Sequence, residues 1–294
     1  MFEDRAMVDV GKSAPRIAVI GTGAIGGAVV HRLLGDGRHV TVWNRTEGRA
    51  RDLVVAGALP ARSVREAVSS STLVFLTLKD YAAVEQCLGQ LDMDLSGQTI
   101  VGMYTGSASE ARLAAQRVAG LGAQYIDAGI QASPEVIGTD AATILYSGSP
   151  EAFEQHRATL ELLSKPRFVG EAPEAAAVWD LALFGVWYDA QLGLLRALET
   201  ARAAGINVLE FSRTASTQLG HVVAAVPATV SEMQQGIYPA GPADLTEHLT
   251  VVRHLIELRA GRRLSDGGLP EVAAKIEALI ADGRGGEGLT ATAG

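Results

Sequence analysis

Ile17-Ala-Val-Ile-Gly-Thr-Gly-Ala-Ile-Gly26 decides how this chain folds. An apolar run of strand type enters G-x-G-x-x-G directly (Gly21, Gly23, Gly26), and Ala24–Leu34 continues with a helical pattern. Gly21 permits the tight turn, Gly23 lets the backbone approach a pyrophosphate, and Gly26 lets helix and strand pack closely. The helix start adds unpaired N–H groups and a partial positive charge. Alone the glycine spacing is weak; between a strand and a helix it predicts a dinucleotide-binding turn made by Gly21, Thr22, Gly23, Ala24, Ile25 and Gly26.

The next apolar run, His39–Trp43, ends in Asn44-Arg45-Thr46. A site for NAD places Asp or Glu here to hold the ribose 2′-hydroxyl. No carboxylate is present; Asn44 and Thr46 can hydrogen-bond a 2′-phosphate and Arg45 can pair with it, unless Arg45 is an ordinary solvated arginine. The expected cofactor is NADPH.

Further strands are expected at Thr72–Thr77, Thr99–Gly102 and Gln124–Ala128, and helices at Thr46–Ala56, Val64–Ser69, Ala82–Leu91 and Ser109–Leu121. This alternation implies a parallel, doubly wound sheet with right-handed crossovers. Ala142–Ser147 and Arg167–Val169, flanking a helix at Pro150–Leu163, would extend it. Ligands of such sheets lie at the carboxyl ends of the strands. Thr77, Leu78 and Lys79 are therefore expected along the nicotinamide ribose and Thr105 near the nicotinamide, although Lys79 also reads as a solvated charge.

After Gly170 only helical signals remain. Pro173 to about Ala204 reads as one helix of about 48 Å, ending at Gly205. Val208–Ala225, Pro227–Tyr238, Leu245–Gly261 and Pro270–Asp282 follow. The fold class is an α/β Rossmann domain, a long interdomain helix and an all-α C-terminal domain, the last so apolar that a second subunit is expected to complete it. The domains run 16–170, 171–205 and 206–282, with a disordered leader at 1–15 and a flexible glycine-rich tail at 283–294.

The chain of 294 residues, 48% hydrophobic and 20% charged, suits a soluble enzyme. Its net charge of −8 argues against nucleic acid or an anionic membrane as partner. No apolar run is long enough to span a bilayer, and the single cysteine, Cys87, fits a reducing cytoplasm and reads as an inert buried thiol. No spacing of ligand residues suggests a metal; His248 and His254 fall on opposite helix faces.

Gly21–Gly26, Asn44-Arg45-Thr46, Ile126-Asp-Ala-Gly-Ile-Gln-Ala-Ser-Pro-Glu-Val-Ile-Gly138 and Ile144-Leu-Tyr-Ser-Gly148 together resemble bacterial imine reductases, of the wider 3-hydroxyacid dehydrogenase superfamily. The resemblance runs from Arg16 to about Ala281. It implies a cytoplasmic NADPH-dependent oxidoreductase that transfers hydride to the C=N bond of a small cyclic imine or iminium, giving an amine. It also implies a homodimer with reciprocally exchanged helical domains, so that the active site lies between subunits. Hydroxyacid dehydrogenases carry a lysine on the long helix and an asparagine one turn later. Of the four lysines here (Lys12, Lys79, Lys165, Lys275) none lies on that helix; in register stand Asp180 and Phe184.

A carboxylate is a poor partner for a developing alkoxide and a good one for an iminium cation. Asp180 is the expected catalytic acid or anion; a solvated helix face and an arginine ion pair are the alternatives. Tyr188, about 12 Å further along the helix, matches the family's substrate-contacting tyrosine, or is a core aromatic. The resemblance places Ala128–Pro134 as a loop beneath the substrate. Met103 (where many relatives have asparagine), Ala132, Phe184, Trp187 and His248 (where glutamine is frequent) are expected around the pocket; His248 also reads as a surface histidine. Alternative activities are a 3-hydroxyacid-type carbonyl reductase and a non-catalytic NADPH sensor.

Overall fold

A computed structural model describes residues 16–294; the leader expected at 1–15 lies outside the described residues. Ile17–Ile20 (β1), Val40–Trp43 (β2), Leu59–Pro60 (β3), Leu73–Leu76 (β4), Thr99–Gly102 (β5), Gln124–Gln131 (β6), Thr143–Gly148 (β7) and Lys165–Gly170 (β8) form one sheet. The order is β3-β2-β1-β4-β5-β6-β7-β8. β1 to β6 are parallel, as the strand-helix alternation predicts. β7 departs from that expectation: it pairs antiparallel with β6, and β8 then runs parallel to β7. The physical reason is the connection. Between Gln131 and Thr143 stands only a short 3-10 turn, Pro134–Val136, too little chain for a crossover helix.

The helices of this unit are α1 (Ala24–Gly35), α2 (Arg51–Val55), α3 (Val64–Ser69), α4 (Tyr81–Leu88), α5 (Ala108–Ala119) and α6 (Pro150–Leu160). Their starts follow local chemistry. Asp80 caps α4 through the Ala83 N–H, and Ser107 with Glu110 forms a capping box on α5. Successive residues of β1 point to opposite sides, so Ile17 and Val19 enter one core and Ala18 and Ile20 the other. The edge strand β3, absent from the expected elements, is two exposed residues; its proline is tolerated at an edge. β6 reaches Gln131, three residues beyond the expected end, so Ala128–Gln131 is strand rather than loop.

The chain divides into two compact units between Phe184 and Gly185, inside α7 (Ala175–Ala203). The long helix thus contributes its first turns to the sheet-bearing unit. The second unit holds the rest of α7 with α8 (Val208–Gln235), α9 (Leu245–Arg259) and α10 (Leu269–Ala281). Two expectations are corrected here. α8 runs straight through Pro227, where two helices were expected. Proline removes one backbone bond, and the Val223 turn whose carbonyl is freed is exposed, so water can satisfy it. The tail at 283–294 is packed: Leu245 N–H donates to Glu287 O, Gly288 N–H donates to Tyr238 O, and Ala291 is buried with Leu249 and Ile276. Gly288 serves close approach, not mobility, since a Cβ there would stand 2.3 Å from Pro239 O. Among the described residues no helix is long and apolar enough to cross a membrane.

Candidate active site

The glycine turn between β1 and α1 is braced from behind. Gly21 has φ +99°, and a Cβ there would lie 2.4 Å from Thr77 O. A Cβ on Gly26 would lie 2.2 Å from Gly21 O and 2.4 Å from the Thr77 hydroxyl. That hydroxyl donates to Gly21 O at 2.6 Å. Thr77 therefore holds the turn, a role the strand-end argument alone does not reveal. Gly23, by contrast, meets nothing within 4 Å of a Cβ, so the open side of the turn faces a cleft.

Two cavities share Gly23, Thr77, Leu78 and Lys79. The first, about 340 Å³, is bounded by Gly21, Trp43, Asn44, Arg45, Thr46 and Arg49. The second, about 350 Å³, runs past Ala24, Ile25 and Gly26 to Met103, Tyr104, Thr105, Ile130 and Ala132. Together they form a trough along the carboxyl ends of β1, β2, β4 and β5. Three observations test it as a dinucleotide site. No side chain caps α1, leaving its N-terminal N–H groups open. The buried Thr22 Oγ1 has no hydrogen-bond partner in the protein. Two arginines stand at the β2 end, where an NAD site would hold an acid. The donors fit a phosphorylated nicotinamide dinucleotide.

Individual roles differ from the reading by residue type. Asn44 Oδ1 accepts from the Thr22 N–H at 3.1 Å, and its Nδ2 donates to Thr46 O at 2.9 Å. Its amide therefore ties the end of β2 to the glycine turn. Arg45 and Thr46 are exposed and free for a ligand. Arg49, missed in the sequence, joins Arg45 on the cleft because the 3-10 turn Glu47–Ala50 precedes α2. Lys79 is exposed and pairs with Asp80 at 3.1 Å. Cys87 lines the first cavity, but burial pushes its thiol up to about 11 against the opposing pull of Arg45, so it is inert.

Asp180 lines neither cavity. It is buried, on the second turn of α7, against β6. Gln131 Nε2 donates to Asp180 Oδ1 at 2.7 Å. A Cβ on Gly129 would lie 2.8 Å from the Asp180 Cβ, so glycine is what lets helix and strand meet. Its partner is thus a neutral amide, neither an arginine nor solvent. Burial raises its pKa, and the Gln131 bond only partly opposes this.

The same strand face holds a second acid the sequence reading did not single out. Asp127 is buried; it accepts from Tyr125 Oη at 3.0 Å, and the nearby Ala177 N–H of α7 pulls its pKa down. Burial pushes it up to about 7, with the Asp180 charge adding to the rise. Tyr125 and Tyr104 hydroxyls stand 3.2 Å apart, and burial raises both phenols. The signal available was period two: Asp127, Gly129 and Gln131 share one face of a strand.

Met103 is buried beside the trough, whereas Thr105 is exposed on it. Phe184 is half-buried at the end of the sheet-bearing unit. Trp187 and Tyr188 belong to the helical unit, where they meet edge to face at 5.0 Å and are each more than half exposed. Tyr188 is accordingly no core aromatic of its own chain. His248 is half-buried on α9. Among the described residues no group of three or more His, Cys, Asp or Glu side chains could hold a metal.

Comparison with known proteins agrees with this geometry. Residues 16–172 match the family profile described as the NAD binding domain of 6-phosphogluconate dehydrogenase. Residues 172–294 match the NADPH-dependent reductive aminase-like C-terminal domain. An NADPH-dependent reductive aminase from Aspergillus oryzae is 30% identical over 94% of this chain and 95% of its own length. Among solved structures, a reductive aminase from Aspergillus terreus in complex with NADPH and ethyl levulinate superposes with a TM-score of 0.87 at 30% identity, covering 96% of this chain and 99% of that one. An imine reductase from Pseudomonas sp. gives 0.85 at 30% identity, covering 95% and 98%. This chain belongs to the family of NADPH-dependent reductive aminases and imine reductases.

Proposed function

We propose that this protein uses NADPH to reduce the C=N bond of a small cyclic imine or iminium ion to an amine. The observation that carries the reading is Asp180: a buried carboxyl, held by a neutral amide, on a helix where a carbonyl-reducing relative would carry lysine. The turn Gly21–Gly26 would hold the pyrophosphate, Arg45 and Thr46 the 2′-phosphate with Arg49 beside them, and Leu78, Lys79 and Thr105 the nicotinamide end. Thr77 and Asn44 keep that cradle in shape.

When bound, NADPH supplies the hydride. The chain supplies charge and position. An iminium accepts hydride far more readily than a neutral imine, so a group that keeps nitrogen protonated lowers the barrier. Asp180 does this either as a carboxylate opposite the cation or, since burial raises its proton affinity, as an acid that passes a proton to a neutral imine nitrogen. Gln131 fixes the carboxyl orientation. Tyr188 would orient the substrate, with Phe184, Trp187, Met103, Ala132 and His248 around it. Several of these lie in the helical unit, whose α8 has no buried residue. We infer a homodimer in the cytoplasm, with that apolar surface covered by a second copy.

The test follows NADPH absorbance with a five- or six-membered cyclic imine, in parallel with a 3-hydroxy acid plus NADP. Oxidation by the imine alone is the expected result. Turnover of the hydroxy acid alone would overturn the assignment in favour of a hydroxyacid-type enzyme, and NADPH binding without turnover would favour a sensor.

A further inference from the structure

Asp127 is ionisable, inside the sheet-bearing unit, and absent from the mechanism above. Its surroundings are specific. Asp127, Gly129 and Gln131 alternate onto one face of β6, about 6.8 Å apart in succession, and that face receives the first turns of α7. Asp127 lies opposite Ser147, which takes the Ala176 N–H of α7, Gly129 admits the Asp180 side chain, and Gln131 holds the Asp180 carboxyl. Asp127 and the Asp180 side chain therefore occupy neighbouring same-face positions of β6.

We propose that Asp127 is a positioning residue for Asp180: the two carboxyls form a coupled pair that keeps a single proton, with Asp127 as the proton-holding member and Asp180 as the anion. This rests on the reading of Asp180 as the charge partner of the substrate. Two like charges in a desolvated space resist joint ionisation, so whichever acid is less well stabilised stays neutral. Asp127 is that acid: its donor, the Tyr125 hydroxyl, stands at 3.0 Å and is shared with Tyr104, whereas Gln131 donates to Asp180 at 2.7 Å, and the Asp180 charge raises Asp127 further.

The groups acting on Asp127 are few. Tyr125 comes from its own strand and Asp180 from α7. Tyr104, after β5, acts through the Tyr125 hydroxyl, while Glu110 of α5 and Tyr81 of α4 bear on Tyr104. β7 offers only Ser147 opposite Asp127, and its hydroxyl is spent on α7, accepting from Ala176 N–H and donating to Pro173 O. No cation acts on Asp127.

The consequence is a site that presents one negative charge to a cationic substrate below neutrality and gains a second above it. Carbon-13 NMR of the full chain with carboxyl-labelled aspartate reads this directly. One carboxyl is expected to titrate near pH 7 and to vanish from the spectrum in Asp127→Asn. In Asp180→Asn it should move down, because the like charge is gone. In Tyr125→Phe it should move up, because a hydrogen bond to the ionised form is lost. The pH profile of imine reduction should lose the same ionisation in Asp127→Asn and regain one in Asp127→Glu.

An Asp127 resonance titrating in the ordinary carboxylate range, or one indifferent to Asp180→Asn, would overturn the pair. Should Asp127→Asn fail to fold, Asp180→Asn and Tyr125→Phe still decide it. Absence of imine turnover with the coupled titration intact would reject the catalytic reading and leave the pair standing. Turnover with an uncoupled Asp127 would do the reverse.

Discussion

The two units of this chain solve the burial problem differently. In the sheet-bearing unit every residue of β1, β4 and β5 is buried, and the six helices cover both faces. In the helical unit the buried cluster is formed by α9, α10 and the C-terminal turn, while the 28-residue α8 has no buried residue. Val223 is 71% exposed, with Val222 and Leu209 at 67%. Large exposed apolar surface on a helix suits an interaction face. One unit buries its own apolar surface; the other leaves an apolar helix exposed, which the proposal covers with a second copy.

The largest effect expected from breaking this contrast is in the self-sufficient unit. Gly26→Val puts carbon where Gly21 O and the Thr77 hydroxyl already stand. Overpacking of this kind costs about 1–3 kcal/mol in stability. The turn must also move, so NADPH affinity by fluorescence titration should fall at least about 100-fold, some 2.7 kcal/mol. Unchanged affinity would mean the cradle is elsewhere. The complementary change, Val222→Glu with Val223→Glu on α8, should leave NADPH binding intact and convert a dimer to monomer by analytical ultracentrifugation. A monomeric parent chain would remove the contrast altogether.

Arg45→Ala comes next. Loss of a charged contact to the 2′-phosphate should weaken NADPH by about 1–3 kcal/mol and leave NADH nearly unaffected. Equal loss for both cofactors would show that Arg45 does not read the phosphate. The smallest effect concerns His156, buried with Nε2 at 3.1 Å from Thr99 Oγ1. Burial lowers its pKa below the usual 6.5. The unfolded chain thus binds the proton more tightly, and stability rises with pH through that window and is lost as pH falls below about 6.5. Chemical denaturation between pH 5 and 7.5 should show this slope, and His156→Gln should flatten it.

What could be seen in the sequence was what neighbouring residues dictate to one another. Strand, glycine turn and helix over Ile17–Gly35, the missing acid after Trp43, and the helix carrying Asp180 all rest on short spacings. What escaped depends on distant partners. Gln131 meets Asp180 across 49 positions, and Asp127 matters only because β6 lies under the first turns of α7. The reversal of β7 was hidden because a strand's direction leaves no mark on its own composition. The tail was misread for a related reason: glycine signals equally a mobile chain and a backbone packed close, and only the position of Pro239 O distinguishes them.

The central claim is that a carboxyl on α7 performs the charge work done by lysine in hydroxyacid dehydrogenases. Single-turnover hydride transfer from NADPH to a preformed cyclic imine, compared between the native chain and Asp180→Asn, tests it most directly. The account predicts a rate lower by about 100-fold, within the usual range for a lost acid-base group, with NADPH affinity unchanged. A rate near that of the native chain would contradict it.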